Sequence, residues 1–230
     1  MPKTPKPPYL LLDQVRGDIH IWIVDGSYSR TNIDEEFTNF GQHYRYPYIK
    51  IDEFWIDRET HPDEKESFIE HLLVEFKLMA KGVPYEKALA LADRAERKER
   101  RRAGDLLKVT RHGRILPDPK SVCEELWKRL DNGLEVWIVN ARRFRSVFDI
   151  DFTEGGHDHV YEFIPQGQIW IDDDIDQSEG GFVLLHELYE RNHMAKGLAY
   201  RDAHRQASNL EFRCRHHPDE LHDALVAQGW

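Results

Sequence analysis

Residues 22–100 align with residues 137–215 at a constant offset of 115 without a gap, and 26 of the 79 positions are identical. A repeat at fixed offset means one structural unit folded twice, so any fold proposed for this chain must close in half its length. The anchors are spread through the copies. Trp22-Ile23-Val24 matches Trp137-Ile138-Val139, and Arg30 and Asp34 match Arg145 and Asp149. Phe37-Thr38 and Gly41 match Phe152-Thr153 and Gly156, and Trp55-Ile56-Asp57 matches Trp170-Ile171-Asp172. Met79-Ala80-Lys81-Gly82 matches Met194-Ala195-Lys196-Gly197; Tyr85, Ala88, Ala92 and Glu96 match Tyr200, Ala203, Ala207 and Glu211. A hydrophobic content of 40% with six Trp is enough to give each copy a core.

Each copy reads the same way. A short strand (20–25; 134–140) leads into a loop richer in charge and Gly, ending at Gly41 or Gly155-Gly156. Alternating aromatic and β-branched residues then predict a hairpin. In the second copy it runs over 160–164, turns through Pro165-Gln166-Gly167 and returns over 168–172. Apolar residues at helical spacing predict paired helices at 63–81 and 84–102, then 178–196 and 199–216. Gly82 and Gly197 suit helix C-caps, and Pro84 suits a first helical turn. The expected fold is α+β: two tandem copies of a small, largely antiparallel sheet packed on a helical hairpin. Residues 17–104 form the first repeat and 133–219 the second. Between them, 105–132 reads as a linker, broken at Leu116-Pro117-Asp118-Pro119 and carrying a short amphipathic helix over 121–130. The two repeats are expected to pack on each other.

A net charge of -10 disfavours nucleic acid and anionic membrane as partners, and no apolar run is long enough to span a bilayer. The Met1-Pro-Lys-Thr-Pro-Lys-Pro-Pro8 start is followed only by Tyr-Leu-Leu-Leu, too short for a signal-peptide core. With two cysteines, Cys123 and Cys214, a disulfide framework is not expected, and the cytoplasm is the expected compartment.

The chemistry concentrates in residues 182–211. His186 and Glu190 lie one turn apart on one helix face and can reach a single ion, while Glu187 points to the adjacent face. The run Leu184-Leu-His-Glu-Leu-Tyr-Glu190 resembles the active-site helix of the zincin metallohydrolases, in which two ligands flank one turn and a Glu follows the first. Glu190 stands where that family more often has His, and Arg191 where it is usually uncharged. The resemblance implies a zinc-dependent hydrolase, most simply a peptidase acting on a peptide or other small substrate. Glu187 would then be the base that takes a proton from zinc-activated water, and the 170–172 strand would border the substrate cleft. The third ligand must come from the second helix. Counting outward from Gly197, Glu190 and His204 are each seven residues away and should face each other; His204, Ser208 and Glu211 share a stripe. Either His186, Glu190 and His204 form the set, or His186, Glu190 and Glu211 do. Two carboxylates would weaken the Lewis acid and favour a harder metal. Tyr200, His193, and His157 or His159 are candidates to stabilise an oxyanion.

The first copy keeps His71, Glu75 and Glu96 but has Leu72 for Glu187 and Leu89 for His204. His-Glu-Glu is therefore either a ligand trio present twice or a hydrogen-bonded network, with Glu187 and His204 supplying the chemistry. In both readings the first copy lacks the base. Asp57 and Asp172 read as turn or cap acceptors, residues 155–159 as a Gly-rich surface turn, and the basic run 94–102 as a solvated helix end. The competing class is a noncatalytic binding or structural protein whose polar stripe is an internal network.

Overall fold

A computed structural model describes residues 8–102, 104 and 118–230. The chain divides into two compact units, Met1–Lys108 and Val109–Trp230. Unit 1 comprises β1 (Tyr9–Arg16), β2 (Ile19–Val24), α1 (Gly26–Asn32), β3 (Phe40–Gln42), β4 (Glu53–Asp57), α2 (Lys65–Met79) and α3 (Tyr85–Arg102). Unit 2 opens with a 3-10 turn (Pro119–Val122) and continues through β5 (Cys123–Arg129), β6 (Glu135–Val139), α4 (Ala141–Val147), β7 (Gly155–His157) and β8 (Gln168–Asp172). It ends in α5 (Gln177–Met194), α6 (Tyr200–His216), a 3-10 turn (Pro218–Glu220) and α7 (Leu221–Ala227). The strand orders are β1-β2-β4-β3 and β5-β6-β8-β7. In each sheet the two outer pairings are antiparallel and the central one, β2·β4 or β6·β8, is parallel. The class is α+β, with one sheet per unit.

Every residue of β4 and of β8 is buried, which requires cover on both faces. Strand geometry sends alternate side chains to opposite sides. Phe54 and Ile56 meet Phe68, Ile69 and Leu72 of α2, while Trp55 meets Val24, Phe37, Tyr46 and Ile49. In unit 2, Ile169 and Ile171 meet Val183, Leu184 and Leu188 of α5, while Trp170 meets Val139, Phe144, Phe152 and Ile164. Each such side chain contributes about 1.5–3 kcal/mol by leaving water. The helical hairpin thus covers one face of each sheet, and the face bearing His71 or His186 is held against β3 or β7.

Gly82 and Gly197 end α2 and α5 at φ +79 and +93. Val83 N–H donates to Leu78 O (3.1 Å) and Leu198 N–H to His193 O (3.0 Å), closing the last turns as a left-handed cap does. Four expectations change. Residues 121–130 hold no α-helix: after the 3-10 turn they form β5, an edge strand paired to β6 as β1 is paired to β2, with register irregularities at the same places. The loop after the first strand of each copy contains a short helix. Asp25 caps α1 by accepting from Tyr28 N–H (3.0 Å), and Asn140 caps α4 by accepting from Arg143 N–H (3.0 Å). The hairpin partner of β8 is β7, not 160–164; those residues lie in the connecting loop, and Tyr161 and Ile164 face the core from there. At the basic end of α3, Arg100 is buried rather than solvated. The start of the expected break, Leu116-Pro117, lies outside the described residues, as does the rest of 105–117. No helix among the described residues is long and apolar enough to cross a membrane.

Candidate metal centre

Both units build the same polar ladder across the helical hairpin. In unit 1, Arg100 of α3 donates to Glu64 (2.5 Å) and to Glu96 (2.8 Å), and Glu96 meets His71 Nδ1 at 2.9 Å. In unit 2, Arg215 of α6 donates to Glu179 (2.8 Å) and to Glu211 (2.9 Å), and Glu211 meets His186 Nδ1 at 2.9 Å. A carboxylate on Nδ1 fixes the ring and turns Nε2 toward the glutamate one turn on. The Nε2 to carboxylate distances are 3.7 Å to Glu75 and 3.6 Å to Glu190. Burial opposes a proton on His71, but the hydrogen bonds to Glu75 and Glu96 outweigh it and raise its pKa to about 9. His186 is likewise raised well above its ordinary value, burial again being outweighed by the bonds to Glu190 and Glu211. Asp57 and Asp172 accept the turn N–H of Glu59 and Asp174, but their larger role is different. Each forms a buried ion pair, with Arg30 and with Arg145 respectively (2.9 Å each), tying the short helix to the end of the central strand.

On that common frame, unit 2 differs at five positions around the histidine. Leu72 becomes Glu187, Leu89 becomes His204, Phe40 becomes Gly155, Phe68 becomes Val183 and Gln42 becomes His157. In unit 1, Phe40 packs on Phe68 (centroids 4.4 Å) and lies 5.2 Å from the His71 ring, so the space beside the histidine is filled with aromatic carbon. Gly155 leaves it clear. A Cβ there would fall 2.8 Å from Val183 Cγ1 and 3.1 Å from Glu187 Cγ and Oε1, so the Glu187 side chain lies across bare backbone. Burial raises the Glu187 pKa, and the nearby His157 and His186 only partly offset this.

His186 Nε2, His204 Nδ1 and Glu190 Oε2 form a triangle with edges of 3.1, 2.8 and 3.6 Å. Donors about 2.0–2.1 Å from a tetrahedral zinc lie about 3.3 Å apart, so the trio fits such an ion with sub-ångström adjustment. The His186 side chain is 13% exposed and that of His204 34%, so the centre reaches solvent on the His204 side, where the Tyr200 ring lies 5.6 Å away. Glu190 is held below the usual carboxylate range; burial pushes it up, and bonds from His157, His186 and His204 more than reverse this.

Of the residues singled out from the sequence, His186, Glu190 and His204 come together, with Glu187 one position on in a second cluster with His157 and Glu190. Glu211 touches His186 from the opposite side, at Nδ1, and its other oxygen is bonded by Arg215. Burial works against its charge, but His186 and Arg215 lower its pKa. His193 turns away, its Nδ1 on Tyr189 O (2.8 Å) and its ring stacked on Tyr189. His159 sits beside Asp158, 3.9 Å away. The expected Gly-rich surface turn is instead the buried strand β7, which delivers His157 Nε2 to Glu190 Oε1 at 2.9 Å. His157, expected as a possible oxyanion stabiliser, is instead a partner of Glu190, a role signalled by its alignment with Gln42, another side chain able to donate to a carboxylate. Comparison with family models, with curated proteins and with solved structures finds no match.

Proposed function

We propose that unit 2 carries a divalent-metal centre suited to zinc, on His186, Glu190 and His204, and that the protein is a metal-dependent hydrolase of peptide-like or other small carbonyl substrates. The triangle of donors carries this reading: its edges of 2.8, 3.1 and 3.6 Å bracket the spacing that zinc asks for. Two histidines and one carboxylate are a ligand set that catalytic zinc uses. When bound, zinc would act as a Lewis acid, polarising a carbonyl and making water a stronger acid. The chain's own residues supply the rest. Glu187, desolvated and raised in pKa, is placed to accept a proton and pass it to a leaving group. Glu211, braced by Arg215, keeps the His186 Nε2 lone pair aimed at the centre. Unit 1, with Leu72 and Leu89, has neither the base nor the third donor and serves as a noncatalytic copy. The free thiols of Cys123 and Cys214 fit a reducing compartment such as the cytoplasm.

A second reading has one specific observation behind it: the edges of 2.8 and 3.1 Å are also hydrogen-bond distances, so the cluster could be a polar network in a binding or structural protein. Metal analysis separates the two. Protein purified without chelator should hold about one equivalent of zinc, and less than about a tenth would end the metal reading. Glu187→Gln should keep the ion and lower hydrolysis of a fluorogenic peptide pool by about 10²–10⁴-fold. Undiminished turnover would reject Glu187 as the base.

A further inference from the structure

We infer that His157 is a positioning residue, an obligatory Nε2–H donor that aims the Glu190 carboxylate, and not a ligand to a second ion. The consequence for the metal rests on the reading above. The rival is concrete. His157, Glu187 and Glu190 offer donor atoms within 4.8 Å of one another, and Glu190 presents Oε2 to one histidine cluster and Oε1 to the other. Such a carboxylate could bridge two ions, an arrangement used by two-metal hydrolases.

The hydrogen bonds around the His157 ring decide against it. Its Nδ1 faces the backbone N–H of His159 at 3.2 Å, and a backbone N–H can only donate. Nδ1 must therefore be the acceptor, which puts the ring proton on Nε2, pointing at Glu190 Oε1 2.9 Å away. To bind a metal through Nε2, the ring would have to move that proton to Nδ1, against the His159 N–H. Because His157 is fully buried, bulk solvent does not reach the ring to relieve the clash.

Unit 1 performs the same task with a side chain that has no choice of tautomer. Gln42 accepts the Tyr44 backbone N–H on Oε1 (2.7 Å) and donates from Nε2 to Glu75 Oε1 (2.5 Å). Acceptor to the N–H two residues on, donor to the helix glutamate: the two side chains are interchangeable in role, at aligned positions of aligned strands. An amide nitrogen of Gln is not a metal ligand, so the shared role is donation. The centre is then mononuclear, with Glu190 Oε1 occupied by His157 and Oε2 left for the ion.

The test uses the full chain and its His157→Gln and His157→Leu variants, titrated with Zn²⁺ against a chromophoric chelator, together with ¹⁵N NMR of the imidazole nitrogens in metal-free protein. The expected results are one equivalent bound by the unaltered chain, affinity within about threefold of it for His157→Gln, and a 10–100-fold loss for His157→Leu. The NMR should show the proton on Nε2. Two equivalents falling to one in His157→Gln, or a Gln variant as impaired as the Leu variant, would overturn the inference, as would a proton on Nδ1. If the unaltered chain takes up no zinc, the metal reading falls by itself. The NMR tautomer and the rank of the two variants in unfolding stability then still decide whether His157 is the donor Glu190 depends on.

Discussion

Unit 1 and unit 2 share the ladder that orients a buried histidine and differ in what surrounds that histidine's far nitrogen. Where unit 1 has Phe40, Leu72 and Leu89, unit 2 has Gly155, Glu187 and His204. The Glu–Arg–Glu–His chain is complete in both units, so it belongs to the common frame, where it orients the histidine in either unit. Whatever unit 2 does beyond unit 1 must come from the exchanged side chains. That separates Glu211, whose counterpart Glu96 makes the same bonds in unit 1, from His204, which has no polar counterpart there. It also gives Gly155, with Val183, the role of keeping aromatic rings out of the site.

The comparison can be broken most severely at the ladder. Arg100→Met and Arg215→Met each strand two buried carboxylates, and each should cost about 3–5 kcal/mol in chemical denaturation. If only Arg215→Met were costly, the ladder would belong to the metal site and not to the common frame. Next in size, His204→Leu makes unit 2 resemble unit 1 at the third donor and should lower Zn²⁺ affinity by at least about 100-fold, some 3 kcal/mol, while Glu211→Gln should cost only about 10–100-fold. The reverse order would make Glu211 the ligand. Gly155→Ala meets Val183 and Glu187 and should destabilise unit 2 by about 1–3 kcal/mol, with a larger loss of turnover than of metal. A variant as active as the unaltered chain would deny that Glu187 needs the bare backbone.

The smallest effect is a pH dependence in unit 1. The folded-state pKa of His71 is about 9, above its ordinary 6.5. Its contribution to stability is therefore complete below about 6.5 and fades as pH rises through about 9. Between these limits the unaltered chain should lose more stability than His71→Gln, as measured by denaturant midpoints. Parallel slopes would mean that His71 is not held protonated by Glu75 and Glu96.

The parts of this architecture that could be read in the sequence are those where packing leaves periodic traces. The hairpin helices, their glycine caps and the central β4 and β8 strands are marked by 3.6-residue spacing or by an unbroken apolar run, and they lie where expected. The convergence of Glu190 and His204 follows from equal distance to Gly197. Other elements left weaker traces. β1 and β5 align at an offset of 114 rather than 115, and of the seven positions they share only Leu12 and Leu126 agree, so a search at one offset passes them by. α1 begins Gly-Ser-Tyr-Ser, poor in helix formers, and is held by the Asp25 cap and the buried Arg30. Residues 160–164 are as rich in apolar side chains as a strand, yet Tyr161 and Ile164, three residues apart, reach into the core from a loop. The inward placement of His157 leaves no trace beside two glycines and an aspartate, a composition typical of turns, and only the pairing of β7 with β8 turns it inward.

Two halves with one strand topology on a single polypeptide invite exchange of pieces as the chain folds. The dissimilarity of the opening strands works against that error. A β1 laid along β6 would bring the Asp13 carboxylate to the spot where Trp127 meets Trp230, 5.3 Å between rings. A β5 laid along β2 would thrust Trp127 into the place from which Asp13 binds Lys65 at 2.7 Å. Each mismatch trades a satisfied neighbour for an unsatisfied one, so the strand that has diverged most tells the polypeptide which half it is completing.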